Sequence, residues 1–237
     1  MPVADIVFCA VLPIILLVVY KLRKLTLAGT VIAGFIAISI YYGFVLPGIT
    51  MLAAFFILAT IATSFGKEQK KMFEEQAEPE RRDAYQVLAN GGVSGILGIL
   101  NSFMPWLIYP CPLIVLMAAS LASATADTLS SELGTIYGKR FYNILTLKPE
   151  EKGKDGVISI EGTLIGVAGS ATIAIVYALF SGWSNGFWVI IAAGTAGNLF
   201  DSLLGATLER RGYLKNDAVN FLNTLFAALV AWVLLLI

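Results

Sequence analysis

The chain has 237 residues, 58% of them hydrophobic and 14% charged, with 16 basic and 16 acidic side chains and no histidine. A soluble domain carries about 45–50% apolar and about 25% charged residues, so this composition excludes an ordinary soluble fold and implies an integral membrane protein. The formal net charge of zero removes any case for nucleic-acid binding by bulk charge, and the lack of histidine excludes a His-ligated metal and a His general base.

Met1 to Tyr20 is apolar and is followed by Lys21, Arg23 and Lys24. A cleaved signal peptide has its basic residues before the apolar core, so this segment reads as a retained first helix, kinked at Pro13. A membrane helix needs about 20 mostly apolar residues. Eight stretches qualify: 3–20, 25–46, 49–65, 90–108, 111–137, 157–180, 186–208 and 217–237. The fold class is therefore all-α, a polytopic membrane helix bundle forming one integral-membrane domain over residues 1–237. Pro47-Gly48 and Tyr109-Pro110-Cys111-Pro112 read as tight turns, as does the stretch from Ser181 to Gly186, where Trp183 and Trp188 sit at interfacial depth. Cys9 and Cys111 fall in apolar segments far apart in sequence; they could pair but read better as two buried free thiols, and they form no metal pattern.

Every Lys and Arg lies in one of four connections: 21–24, 67–82, 139–154 and 210–215. With eight spans these connections share one side. The positive-inside rule then places them in the cytoplasm, with both termini outside the cell membrane. Residues 66–89 read as a cytoplasmic or interfacial helix broken at Pro79, its charges a solvated face. Asn90-Gly91-Gly92-Val93-Ser94 reads as the opening of the fourth helix. Glycines there either let backbone N–H groups approach an anion or pack against a neighbouring helix. Residues 138–156, with Lys148 and Lys154, form a basic segment ahead of a helix start at Ser159. It reads as a lid over a phosphate site or as an ordinary charged loop. Asp155-Gly-Val-Ile-Ser echoes Asn90-Gly-Gly-Val-Ser, and each leads through two helices to an aspartate, Asp127 or Asp201, which suggests a parallel internal repeat.

Those two aspartates carry the chemistry. A carboxylate at the end of an apolar run is costly and marks function by default. Asp127 shares a helical stripe with Ser120, Ser123, Ser130 and Ser131, with Glu132 on the next stripe. Asn198, Asp201 and Ser202 align on the seventh helix, and Asn216, Asn220, Asn223 and Thr224 on the eighth. Nearly all of these groups fall in the cytoplasmic half. Carboxylates and amide oxygens are hard ligands suited to Mg²⁺ with substrate phosphates, and lysines and helix N-termini bind phosphate. The combination reads as phosphoryl or nucleotidyl transfer onto a lipid head group. No Gly-x-x-x-x-Gly-Lys-Ser/Thr loop is present.

The strings Asn90-Gly-Gly-Val-Ser, Ala126-Asp-Thr with Ser131-Glu-Leu-Gly, Gly197-Asn-Leu-Phe-Asp-Ser-Leu-Leu-Gly-Ala-Thr and Asn216 with Val219-Asn-Phe-Leu-Asn resemble the integral-membrane family long known as a domain of unknown function. That family includes transmembrane protein nineteen and the plant and cyanobacterial phytyl-phosphate kinases. Residues 153–159, Gly-Lys-Asp-Gly-Val-Ile-Ser, depart from the family's more glycine-rich pattern. The resemblance implies a kinase that converts a prenyl monophosphate to the diphosphate with CTP or another nucleoside triphosphate and Mg²⁺. It assigns Asp127, Glu132 and Asp201 to the metal, and Asn90, Gly91, Gly92, Lys148, Lys154, Ser159, Asn198, Asn216 and Asn220 to nucleotide or phosphate. The competing readings are a CTP-dependent nucleotidyltransferase making a CDP-linked lipid, a lipid-phosphate or anion transporter relying on Asn101, and a structural membrane protein.

Overall fold

The computed structural model describes residues 2–66, 81–104 and 112–237. The expected interfacial helix within 66–89, the turn at Tyr109-Pro110-Cys111 and the end of the expected fourth span lie outside the described residues, except at their margins. Seven helices are present among the described residues: α1 (Val3–Lys21), α2 (Leu27–Ser64), α3 (Ala84–Phe103), α4 (Leu113–Tyr137), α5 (Ile160–Ser181), α6 (Asn185–Leu204) and α7 (Asn216–Leu236). All except α3 are long and apolar enough to cross a membrane. The molecule is a polytopic helical membrane protein.

At 1.5 Å per residue, α2 would be about 57 Å long if straight. It is not straight. Val45 has φ 53° and ψ −136°, and Pro47 follows. Lys24 Nζ, ahead of the helix, donates to Ser64 Oγ at its far end across 3.0 Å. The element is thus a hairpin of two antiparallel arms meeting at Val45, next to the turn expected at Pro47-Gly48. The break frees carbonyls at the end of the first arm, and Asn101 Nδ2 of α3 donates to one of them, Gly43 O, at 2.6 Å. Asn101, the residue a transport pathway would have needed, is a helix-end cap.

The start of α3 lies six residues before the expected one. Asp83 Oδ1 accepts from the backbone N–H groups of Tyr85 and Gln86, and Gln86 Oε1 accepts from Asp83 N. This capping box closes the helix end at Ala84. Gly91 and Gly92 therefore lie two turns inside α3. The echo with residues 155–159 fails at this point, because the second string forms a strand and a cap, not the interior of a helix.

The central post is α4. Its most apolar stretch is 78% buried, against 44% or less for the other candidate spans, and α2, α3, α5, α6 and α7 all pack on it. The sequence explains this: Ala118, Ala119, Ser120, Ala122, Ser123, Ala124, Thr125 and Ala126 are all buried, and such small side chains let several helices approach one axis. Larger side chains fill the far end, with Ile40, Met51, Met117, Leu121, Ile173 and Ile190 fully enclosed. Beyond α4 the chain is not wholly helical. Strands β1 (Phe141–Asn143) and β2 (Val157–Ser159) pair antiparallel, with Phe141 opposite Ser159. Aromatic and β-branched residues suit such a pair. α1 is peripheral, with no buried residue, so Cys9 is exposed and not enclosed as expected. α1 is held to α2 by Tyr41, which donates to Asp5 at 2.8 Å and stacks on Phe8.

The first arm of α2 and α3 meet backbone to backbone. A Cβ on Gly98 would lie 2.5 Å from Ser39 O, and one on Gly43 would lie 2.5 Å from Gly98 O. Gly98→Val should therefore cost about 1–3 kcal/mol, read as a lowered thermal midpoint of the detergent-solubilised protein. Gly92→Ala, whose new Cβ would meet Phe221 at 3.5 Å, should leave that midpoint within a few degrees of wild type.

Candidate functional site

A cavity of ≈530 Å³ opens at the end of the bundle that carries the basic connections. Arg82, Gln86 and Asn90 of the α3 region form one wall, and Asp127, Ser130, Ser131 and Glu132 of α4 another. Asn198, Asp201 and Ser202 of α6 face them, Asn216 and Asn220 of α7 complete the side, and residues 153–159 roof it.

At its floor the carboxyl groups of Asp127 and Asp201, from helices packed on each other, are hydrogen-bonded neighbours. Asn223 Nδ2 donates to Asp201 Oδ2 at 2.6 Å. The next charge acting on Asp201 is again acidic, Asp155. Ser130 Oγ donates to Asn198 Oδ1 at 2.9 Å, tying α4 to α6 beside the pair. Asn90 Nδ2 donates to Gln86 O at 3.0 Å, while its Oδ1 is buried with no hydrogen-bond partner. Two touching carboxylates call for a shared proton or a cation between them. The orphaned Asn90 oxygen and several hydroxyls line the same cavity, and hard oxygen donors of this kind suit a cation such as Mg²⁺.

The roof is a built element. Asn143 Oδ1 accepts from Leu145 N and Thr146 N, closing the loop after β1. Arg210, just past the single π-helical turn Gly205–Glu209 that extends α6, clamps the hairpin. Its Nη1 and Nη2 donate to Glu150 at 2.9 and 3.2 Å, and its Nε donates to Asp155 O at 2.6 Å. Gly156 has φ +69° and lies so close to Ala206 that any Cβ would overlap it. Only glycine fits there. Hydrogen bonds from Arg210, then from Asn143, hold the Glu150 carboxyl below the usual carboxylate range. Lys154, paired with Glu151 at 2.9 Å, is raised above the usual lysine value by that contact and is fully cationic at neutral pH.

Of the residues singled out in the sequence, Asn90, Asp127, Glu132, Lys154, Ser159, Asn198, Asp201, Asn216 and Asn220 line this one cavity. Ser159 also caps α5, accepting from Gly162 N at 3.0 Å. Three do not reach it. Gly91 and Gly92 face Ile36 and Phe221, and their N–H groups lie in a helix interior, where the ladder uses them. Lys148 is exposed beyond the roof, in the loop whose carbonyl accepts from Asn143 N at 3.0 Å. Among the described residues no three acidic side chains converge on one point, so Asp127, Glu132 and Asp201 are not a single triad. Glu132 follows Asp127 by five residues, which turns it about 140° around the helix. It lines the wall away from the pair.

Arg82, Gln86, Asp155 and Glu209, none of which the sequence reading assigned to the site, also line the cavity. Arg82 is held on both sides: its backbone pairs with residues 24 and 26, and Nη2 donates to Thr63 Oγ1 at 3.2 Å. The Asp83/Gln86 capping box would have placed α3, and with it Arg82, at the mouth.

The sequence pattern of the family described as integral membrane protein DUF92 matches residues 10–228. An uncharacterized membrane protein of Methanocaldococcus jannaschii is 36% identical over 203 residues, which cover 85% of this chain and 81% of that one. An uncharacterized membrane protein of Synechocystis is 30% identical, covering 78% of this chain and 72% of its own length. The chloroplastic protein VTE6 of Arabidopsis thaliana is 31% identical over 194 residues, covering 78% of this chain and 57% of that protein. No solved structure gives a significant match.

The Glu150 clamp sets a pH dependence for the roof. A carboxyl depressed in the folded state adds stability above its unfolded pKa and loses it as pH falls through the folded one. Hydrogen-exchange protection factors over residues 141–159 should hold steady from neutral to mildly acid pH. They should collapse only below the ordinary carboxylate range. Glu150→Gln should show weakened protection at neutral and mildly acid pH and should converge with the wild type once the Glu150 carboxyl is protonated.

Proposed function

Because the chain belongs to the DUF92 family of integral membrane proteins, we propose that it is a phosphotransferase acting on a prenyl monophosphate, with CTP or another nucleoside triphosphate as donor. The observation that carries this reading is the Asp127–Asp201 contact on the floor of a cavity whose mouth bears Arg82 and Lys154. The resemblance of the motifs around these residues to phytyl-phosphate kinases supports it. The bundle crosses the membrane eight times in this reading, with each arm of α2 and α3 counted, and the positive-inside rule turns the cavity to the cytoplasm.

A phosphate monoester has a second pKa of about 6, so the acceptor is largely a dianion at neutral pH and needs no general base. Its oxygen forms a bond to the γ-phosphorus as the bond from that phosphorus to the β-bridging oxygen breaks, and the nucleoside diphosphate leaves. The difficulty is bringing two polyanions together, so the protein's task is positioning and charge neutralisation. Asp127 and Asp201, with the Asn90 carbonyl oxygen, would hold Mg²⁺, which supplies charge neutralisation on the donor phosphates. Arg82 from one wall and Lys154 from the roof bind phosphate oxygens, the former through a planar fork suited to them. Asn216 and Asn220 orient donor groups at the start of α7. The roof over residues 153–159 keeps water from competing for the phosphoryl group. The prenyl tail stays in the apolar phase, since each CH₂ moved to water would cost about 0.8 kcal/mol. A transport reading has less support, because the cavity's polar lining gathers at one end and Asn101 is occupied by Gly43 O.

Incubating the purified protein with γ-phosphate-labelled CTP, Mg²⁺ and geranylgeranyl or phytyl monophosphate should move label into a prenyl diphosphate and release CDP. Pyrophosphate with a CDP-lipid would instead make it a nucleotidyltransferase, and absence of any transfer would refute both. Asp127→Asn and Asp201→Asn should each lower turnover by about 10²-fold or more, with the folded protein still extractable in detergent.

A further inference from the structure

The acidic pair is backed by a polar relay that the reaction chemistry leaves unexplained. Asn223 and Ser123 are both fully buried. Ser123 Oγ donates to Asn223 Oδ1 at 3.0 Å, and Asn223 Nδ2 donates to Asp201 Oδ2 at 2.6 Å. The residues come from three helices: Ser123 from α4, Asp201 from α6 and Asn223 from α7. Gly197 of α6 leaves the space the Ser123 hydroxyl occupies, since a Cβ there would overlap it. In a membrane interior an amide and a hydroxyl are costly unless satisfied, and here the amide facing the carboxylate is satisfied in one sense only. If the Asn223 amide turned over, its oxygen would face Asp201 Oδ2, acceptor against acceptor. The acceptor-only carboxylate therefore sets the sense of the amide, and the Ser123 hydroxyl, donating to the oxygen at its other end, holds the amide in that place.

We infer that Asn223, oriented by Ser123, is a positioning residue that holds one Asp201 oxygen so that the carboxylate turns toward Asp127 and the divalent cation. The inference rests on the reading of the pair as the cation centre. It assigns Asn223 no contact with substrate. Partners of this kind behind a metal ligand change metal affinity by about 10–100-fold when removed. A residue that only glued helices together would change stability and leave metal binding alone.

Mn²⁺ binding to the full detergent-solubilised chain, followed by electron paramagnetic resonance without nucleotide or lipid, separates the two roles. Asn223→Leu, close in volume, should weaken Mn²⁺ binding about tenfold or more. Ser123→Ala should weaken it severalfold, and Ser123→Thr, which keeps a hydroxyl, should restore most of it. Thr224→Val serves as the packing control. Thr224 neighbours Asn223 but bonds to Ala89 O and Phe221 O, so its removal should lower the thermal midpoint without shifting Mn²⁺ binding. Unchanged Mn²⁺ affinity in Asn223→Leu, or in Ser123→Ala should the leucine variant fail to fold, would overturn the proposal. So would a wild-type protein that binds no Mn²⁺. A wild type that binds Mn²⁺ through this relay yet transfers no phosphate would leave the relay standing and remove the kinase.

Discussion

The structure depends on the cost of placing two carboxyl groups side by side at the end of a packed apolar bundle. Asp127 ends the buried run of α4, and Asp201 lies in the last turn of α6. Their contact is tolerable only because the surroundings are polar and fixed. Asn223 donates to one, serines and an amide tie the helices together around them, and a polar cavity lies above. A charge in or near hydrocarbon is expensive unless it is paired or solvated. The small residues of α4 follow from the same constraint. Only a post of alanine and serine lets α6 and α7 come close enough for an aspartate and an asparagine from separate helices to meet.

The rest of the fold closes the two ends of this arrangement differently. At the far end, Met51, Met117, Ile173 and Ile190 make a continuous apolar plug. At the near end, helix starts, caps and a short hairpin bring amides, hydroxyls and two cations around the opening. Among the described residues this leaves the polar cavity opening at the basic end of the bundle and an apolar fill at the other.

Much of this was legible in the sequence, and the parts that were not share a cause. Asp127 and Asp201 stood out because a carboxylate is rare in such surroundings, and the α2 hairpin because Pro47-Gly48 interrupts a run too long for one span. Asn223 could be placed on a helical stripe, but that it reaches Asp201 depends on how α6 meets α7, which spacing along one chain does not encode. Gly91 and Gly92 were ambiguous in kind, since a missing side chain admits either an anion or another helix. The capping residues Asp83 and Gln86 decided for the helix by moving its start. Lys148 and Lys154 look alike as letters. The antiparallel register of β1 and β2 puts one outside and the other over the opening. Strands of three residues carry too little pattern to be seen in advance, so the hairpin could not have been drawn from the sequence.

One detail of that hairpin reaches beyond its own stability. The arginine that grips it follows directly on the widened turn continuing the helix of Asp201, so cover and floor hang from the same piece of backbone. As long as the Arg210–Glu150 fork stays closed, the cover cannot lift without pulling on the segment that carries the aspartate. The hairpin above the opening and the aspartate beneath it thus share one support, and a change in either is felt through the same short stretch of chain.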